Sequence, residues 1–371
     1  MAFYLSQSPQ KAQNLNGIAE GVRANRLNLP NGRIFMDVPI ERFKEIIGRF
    51  KECKIAVCGD IVADIYIYGK PFKLSREAPV LVVRHDGERI LPGSAGNTIH
   101  NLSSLGIHVF PVGILGDDEA GRSLLRAFSR MNAEMEGLIV ATNRSTITKT
   151  RIMAGDDHTS KQQVIRIDRE VKEPLRKDLE DRLTAYLDRL SNQVDAFIVS
   201  DYGYDLITPT LLERLKAIAA HRAVVVDSRY RLDQFSGVTA ITPNEAEAEA
   251  ISQDRITSGQ DTIRVGQGLI QNLDLKAVLI TRGNKGMVLV ERSGAASDIP
   301  ICGSDEITDV TGAGDTVAGV LTASLAAGAS FYEAARLSNY AGAVVVMKRG
   351  TATASPEELI HMIEQDYRLR E

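Results

Sequence analysis

Asp309-Val310-Thr311-Gly312-Ala313-Gly314-Asp315 runs directly into Thr316-Val317-Ala318-Gly319-Val320-Leu321. Three small residues in a row let a backbone approach a ligand closely. The apolar, small-residue run from Val317 to Leu325, closed by Gly328, predicts a helix buried on most sides. The loop therefore sits on a helix N-terminus. There the N–H groups of Gly312, Ala313 and Gly314 and the positive end of the helix dipole favour a phosphoryl group or a developing anion. Asp315 places one carboxylate beside that anion hole, positioned to accept a proton from a hydroxyl while the loop neutralises a phosphate in transit. For an arbitrary Gly-rich loop the commoner reading is a capped helix start, with Asp309 or Thr311 as N-cap and Asp315 answering the dipole.

Short apolar runs alternate with helical periods on the N-terminal side of this loop. Lys54 to Cys58, Val109 to Gly113, Ala196 to Ser200, Ala223 to Asp227, Ala240-Ile241, Ala277 to Thr281 and Met287 to Glu291 read as strands. Between them, 121–131, 175–190, 209–220, 245–251 and 262–273 read as helices, with two more after the Gly-loop helix, around 332–346 and from Pro356. Continuous apolar strands alternating with helices predict an α/β fold with a doubly wound, mainly parallel sheet flanked by helices. Two segments depart from this rhythm. Residues of about 64–83, with Asp64 to Gly69 alternating and Val80 to Val83 after Pro79, and of about 146–167 read as strands of a small β-sheet projecting from the body, suited to serve as a lid and as a dimer surface. Residues 1–39 form a polar extension, without a sustained period to about residue 35, and 40–371 form one domain, opened by an amphipathic helix with Ile40, Phe43, Ile46, Ile47 and Phe50 on one face.

Composition narrows the partners. The chain has 371 residues, 44% hydrophobic and 25% charged, with a net charge of −4, which argues against nucleic acid as the main partner. Its three cysteines, Cys53, Cys58 and Cys302, have neither metal-type nor disulfide-framework spacing, and its six His residues show no metal pattern, so a reducing, cytoplasmic setting fits best. No stretch approaches the roughly 20 apolar residues of a membrane span, and the N-terminus lacks a secretory h-region.

Several side chains cluster where open α/β sheets bind ligands. Asp60 and Asp64 stand at and beyond a strand end, either as acceptors for sugar hydroxyls or as local turn caps. Gly93-Ser94-Ala95-Gly96-Asn97 admits a ligand closely, with the Asn97 amide able to donate and accept, or it is a plain helix entry. Lys149 and Arg151 alternate on one face of a strand, with Arg166 expected beside them, either gripping a phosphate or solvated at an edge. Gly116-Asp117-Asp118-Glu119-Ala120-Gly121-Arg122-Ser123 has the spacing of a phosphate-binding loop, but three acids inside it repel phosphate, so it reads as a turn capping the next helix.

The 309–315 string is similar to the signature of the ribokinase-like (pfkB) carbohydrate kinases, in which the Asp after Gly-Ala-Gly is the catalytic base, and the resemblance extends over about residues 40–360. It implies a ribokinase-like fold, ATP and Mg2+. Catalysis is then carried by Asp315 with the Gly312, Ala313 and Gly314 amides, and substrate binding by Asp60, Asp64, Gly93, Asn97, Lys149, Arg151 and Asp201. Thr242-Pro243-Asn244-Glu245-Ala246-Glu247 resembles the family's Asn-x-x-Glu element, which puts Asn244 near the nucleotide phosphates and Glu247 near the metal. Thr281, Gly283 and Gly286 match its nucleotide turn, and Asn339 flanks the adenine. Within the family, Tyr66 to Gly69, Ser75 to Val80 and the Thr146 to Arg151 run resemble the heptose-7-phosphate kinase subgroup. Ile65 and Arg76 depart from that subgroup, and Arg229 stands near a position where it tends to carry Lys. The subgroup phosphorylates the 1-hydroxyl of D-glycero-D-manno-heptose 7-phosphate. Another sugar, sugar phosphate or nucleoside, or a catalytically silent sensor, are the alternatives. A homodimer is expected by similarity. The subgroup is often fused to a nucleotidyltransferase, and any such partner here would be a separate protein.

Overall fold

The computed structural model describes residues 26–28, 34–36, 38–156, 161–171, 173–303 and 308–369. The chain divides into two units, Met1–Pro39 and Ile40–Glu371. In the first, β1 (Arg26–Asn28) pairs antiparallel with β2 (Ile34–Met36). Most of the polar extension lies outside the described residues.

The second unit opens with α1 (Ile40–Arg49), which buries Phe43, Ile46 and Ile47 at the expected helical spacing. The main sheet then assembles from β3 (Lys54–Gly59), β6 (His108–Gly116), β7 (Leu138–Ala141), β10 (Ala196–Asp201), β11 (Ala223–Ser228), β12 (Ala240–Ile241), β13 (Ala277–Thr281), β14 (Met287–Glu291) and β15 (Ala296–Ile299). Its order is β15-β14-β13-β12-β11-β10-β3-β6-β7. From β13 to β7 every pair is parallel, and β14 and β15 continue antiparallel at one edge. Helices α4 (Lys177–Leu190), α5 (Pro209–Ala219) and α7 (Gly259–Leu273) share a core with Phe197, Val199, Val224 and Val226. The intervening residues Ile198 and Val225 are equally buried but outside that core. Side chains alternate between faces, so strands covered on both sides must be apolar throughout, which is why these runs showed no alternation. Helices α3 (Glu119–Phe128), α6 (Glu245–Ser252) and α10 (Pro356–Arg368) complete the periphery. The edge strands β7 and β15 escaped the sequence reading. Each has only four residues, too few to show a period.

The projecting sheet has the order β5-β4-β8-β9, from β4 (Ile61–Leu74), β5 (Leu81–Ser94), β8 (Ile147–Ala154) and β9 (Gln162–Arg169). β4 and β5 form a long hairpin from Ile61↔Ser94 to Leu74↔Leu81, far longer than the segments read from sequence. Gly69 and Pro71 interrupt the alternation, and register shifts there absorb them. The hairpin base is buried at Ile61, Val62 and Ala63, whereas Phe72, Leu74, Val164, Ile165 and Ile167 further out are exposed.

One feature of the topology places the site. From β3 the chain proceeds to β6 and β7 on one side, then returns to β10 on the other side of β3 and continues outward. Ligands in open α/β sheets bind over the strand C-termini at such a reversal. Here those ends are Gly59-Asp60 and Asp201-Tyr202. Helix α8 (Ala313–Ala326) packs across β3, β10 and β11 beside this point, with α2 (Ala95–Ser104) and α9 (Phe331–Val346) against it. Val317, Val320 and Leu321 are buried there, each stabilising by about 1.5–3 kcal/mol.

Candidate active site

Asp315 lies in the first turn of α8, buried, at the top of the crevice. The N-cap is Gly312, not Asp309 or Thr311. Gly312 has φ +79°, and a Cβ there would lie 2.4 Å from Asn97 Nδ2, so the turn requires glycine. Asp309 instead holds the loop from outside, accepting from Thr311 N–H and Gly350 N–H at 2.9 Å each. Ala313 N–H donates to Val310 O within the turn, which corrects the expectation of three open amides. The Gly312 and Gly314 N–H groups have no partner among the described residues and remain for an anion.

Only uncharged donors meet the Asp315 carboxylate. Asn97 Nδ2 donates to Oδ2 at 2.9 Å, and Tyr202 O–H to Oδ1 at 2.8 Å, with Thr98 Oγ1 at 3.4 Å. Burial pushes its pKa up to about 6, opposed by the hydrogen bonds from Asn97 and Tyr202 and by the Arg229 charge. A carboxylate of that strength is poised to take a proton near neutral pH.

Three side chains expected to touch substrate are held by protein partners. Asn97 falls inside α2, which begins at Ala95. Its Nδ2 donates to Asp315, and its Oδ1 accepts from Asn101 Nδ2 at 3.2 Å, so in this structure the amide holds the Asp315 carboxylate. Asp60 Oδ2 accepts from Tyr202 N–H at 2.8 Å and Tyr204 N–H at 3.2 Å, pinning the loop after β10. Burial and the Asp201 charge raise its pKa to about 6, opposed by those backbone donors. Asp201 is bound by Arg231 Nη2 at 2.5 Å and Ser228 Oγ at 2.6 Å, which makes it scaffold.

The cations also regroup. Arg151 Nη1 binds Asp64 Oδ1 at 2.6 Å, and Gly93 leaves the room: a Cβ there would lie 2.4 Å from Asp64 Oδ2. Arg166 does sit opposite Arg151 in register, but its guanidinium is exposed and paired with Asp168. Lys149 instead lies 5.2 Å over the Tyr202 ring and 5.7 Å over the Tyr204 ring, and Arg229 lies 4.7 Å over the Tyr202 ring. Neither Lys149 nor Arg229 has a carboxylate within ion-pair distance among the described residues. Burial lowers the Lys149 pKa, and the nearby Arg229 charge lowers it further while Asp64 opposes. Two cations on one aromatic ring without a carboxylate partner favour an anion beside them. Tyr202 and Thr98 were missed from sequence, where the Asp201-Tyr202 pair at a strand end was the available signal.

On the other side of the Gly-loop lies a cavity of roughly 510 Å³. Thr281, Gly283, Gly286 and Asn339 line it together with Ala313 and Gly314. Gly286 has φ +85°, and a Cβ there would lie 2.1 Å from Ile299 O. Asn339 Nδ2 donates to Pro300 O at 2.8 Å, which fixes one wall. Asn244 and Glu247 form a reciprocal capping box at the start of α6, each bond 2.9 Å. Burial raises the Glu247 pKa, and Asp227 is pushed up to about 8 by burial and the charges of Asp315 and Glu247, so these acids share one electrostatic neighbourhood. Among the described residues no three His, Cys, Asp or Glu side chains form a metal cage. Nor is any helix there long and apolar enough to cross a membrane.

Comparison with known proteins agrees with this geometry. The pfkB family carbohydrate kinase pattern matches residues 53–358. Bifunctional protein HldE of Geobacter sulfurreducens is 41% identical over 307 residues, covering 82% of this chain and 61% of that protein. Its counterpart in Geobacter metallireducens is 37% identical over 320 residues, covering 85% and 64%. The chain therefore spans 61–64% of the length of these relatives. Among solved structures, Arabidopsis thaliana ribokinase complexed with ribose and ATP superposes with a TM-score of 0.68 at 18% identity, covering 84% of this chain and 99% of that one. Escherichia coli phosphofructokinase-2 superposes with a TM-score of 0.69 at 16% identity, covering 85% and 100%. Both share the fold.

Proposed function

The chain belongs to the pfkB family of carbohydrate kinases, and from that premise we propose that it transfers the γ-phosphoryl of ATP to the 1-hydroxyl of D-glycero-D-manno-heptose 7-phosphate. The observation that carries the reading is a buried carboxylate, Asp315, without a cationic partner, which follows the open Gly312 and Gly314 amides and accepts from Tyr202, whose ring carries two cations unpaired among the described residues. Asp315 accepts the proton of the attacking hydroxyl. The Gly312 and Gly314 amides receive the charge that develops on the transferring phosphoryl. Lys149 and Arg229 hold the phosphate already on the sugar, and the Asp64–Arg151 pair borders the sugar side. Thr281, Gly283, Gly286 and Asn339 house the nucleotide. Magnesium suits this donor set, because Mg2+ is held by one or two carboxylates plus substrate phosphates rather than by a protein cage, and the Glu247 carboxylate is the group to hold it. When bound, it neutralises phosphate charge. The exposed lid residues Phe72, Leu74, Ile165 and Ile167 support a homodimer through this face.

The test is ATP consumption with magnesium against free sugars, nucleosides and sugar phosphates, heptose 7-phosphate included, with sedimentation of the same protein reporting the dimer. Turnover confined to heptose 7-phosphate is expected. Turnover on another acceptor keeps the chemistry and replaces the substrate. ATP binding without turnover on any acceptor favours the silent sensor.

A further inference from the structure

Three side chains donate to Asp315, and two of them, Asn97 and Thr98, come from α2. The third, Tyr202, comes from the end of β10 and is tied to everything else in the site. Its backbone N–H is held by Asp60 Oδ2 at 2.8 Å. The backbone N–H of Arg229 is held by Asp201 O at 3.1 Å. The Asp60 carboxylate thus fixes the main chain at Tyr202, the Asp201 carboxylate accepts from Gly203 N–H at 3.3 Å, and the Asp201 main-chain carbonyl ties in the start of the Arg229 segment. From that anchored position the phenol reaches Asp315 Oδ1 at 2.8 Å, while its ring lies under the Lys149 ammonium at 5.2 Å and the Arg229 guanidinium at 4.7 Å. Burial, reinforced by the charges of Asp315 and Asp227, holds its ionisation well above the ordinary tyrosine value, so the O–H remains a donor throughout the working pH range.

We propose that Tyr202 is a positioning residue for phosphoryl transfer: its O–H fixes the rotation of the Asp315 carboxylate, and its ring seats the two cations that anchor the acceptor's phosphate. One rigid side chain then sets the distance between the base and the substrate's anchoring charge. A fixed distance of this kind presents one hydroxyl to the base by orientation. The inference rests on Asp315 being the base.

Tyr202→Phe separates the two halves, because it deletes the hydrogen bond and keeps the ring. Loss of a donor to a carboxylate destabilises the charged form, so the Asp315 pKa rises. The groups that face Asp315 are Asn97 and Thr98 from α2, Asp64 from β4, and Asp227 and Arg229 from the end of β11, and Tyr202→Phe leaves all of them in place. With MgATP and heptose 7-phosphate, kcat is expected to fall about 10-fold, with KM for the heptose phosphate within about 2-fold and the acid limb of kcat moved up by about one pH unit. The carboxyl titration needs no substrate: in protein carrying carboxyl-labelled aspartate, the Asp315 resonance, identified by its loss in Asp315→Asn, should titrate about one unit higher in Tyr202→Phe. An unmoved titration and acid limb overturn the inference, whether or not kcat falls, since a merely structural loss would not shift either. Asp315→Asn run alongside distinguishes the premise: if it retains most of its kcat, the base assignment fails, whatever Tyr202→Phe does.

Discussion

Asp201, next to Tyr202 in the chain, and Asp315, which accepts from the Tyr202 O–H, are both cut off from solvent at 0% and 3% exposure, yet their surroundings are opposite. Asp201 meets a guanidinium and a hydroxyl, with Arg231 Nη2 and Nε at 2.5 and 3.2 Å and Ser228 Oγ at 2.6 Å. Asp315 meets an amide, a phenol and a threonine hydroxyl, and no cation. A buried charge with a partner is finished: it locks two strand ends together and has nothing left to give. A buried charge without one is held at a cost in stability, which proteins accept where the chemistry needs a base. Burial alone does not distinguish scaffold from chemistry. The charge of the partner does.

The largest effect that this contrast predicts is on catalysis. Asp315→Asn should lower kcat by about 10³-fold or more while ATP binding, measured by calorimetry, persists. Retention of most of the kcat would put Asp315 in the same class as Asp201. Next, Arg231→Ala leaves Asp201 buried without its cation and should remove about 3 kcal/mol of stability, read from urea unfolding. A loss below about 1 kcal/mol would show that the pair is not the lock described above. The smallest effect is one of pH. The Asp315 pKa is raised to about 6 from an ordinary 3.8, so the base is lost as pH falls through 6 and kcat should fall with it. The sign for stability is the reverse, because the folded state holds the proton more tightly than the unfolded chain. Asp315 therefore destabilises above about pH 6, and that penalty is lifted as pH falls towards 3.8. An acid limb well below pH 5 would mean that solvent or a cation reaches the carboxylate.

What could be read in advance follows from how far apart the interacting residues lie in the chain. The Gly-loop, the helix after it and the acid in its first turn are consecutive, so local backbone chemistry suffices to place them. The same holds for Asp118, which caps α3 by accepting from Gly121 N–H at 2.8 Å, as the turn reading required. Thr281, Gly283 and Gly286 are likewise local to one turn, and they line the cavity beside the loop. Other side chains depend on partners far away in the chain. Asn97 reads as the end of a ligand-admitting small-residue loop, and nothing local shows that its amide donates to Asp315, 218 residues away. Arg151 was grouped with Lys149 by strand alternation, yet its partner Asp64 lies 87 residues earlier, on a strand joined in parallel register.

The sequence by itself determined the α/β class and the glycine turn that leads into α8 with Asp315 in its first turn, because each rests on the backbone preferences of neighbouring residues. Only the tertiary structure decided which carboxylates are bound by partners and which cations are left open, since hydrogen bonds and ion pairs form between strand ends brought together by the β3/β10 reversal. That reversal is set by packing across the whole sheet, and within it a shift of a few ångströms in register exchanges one partner for another.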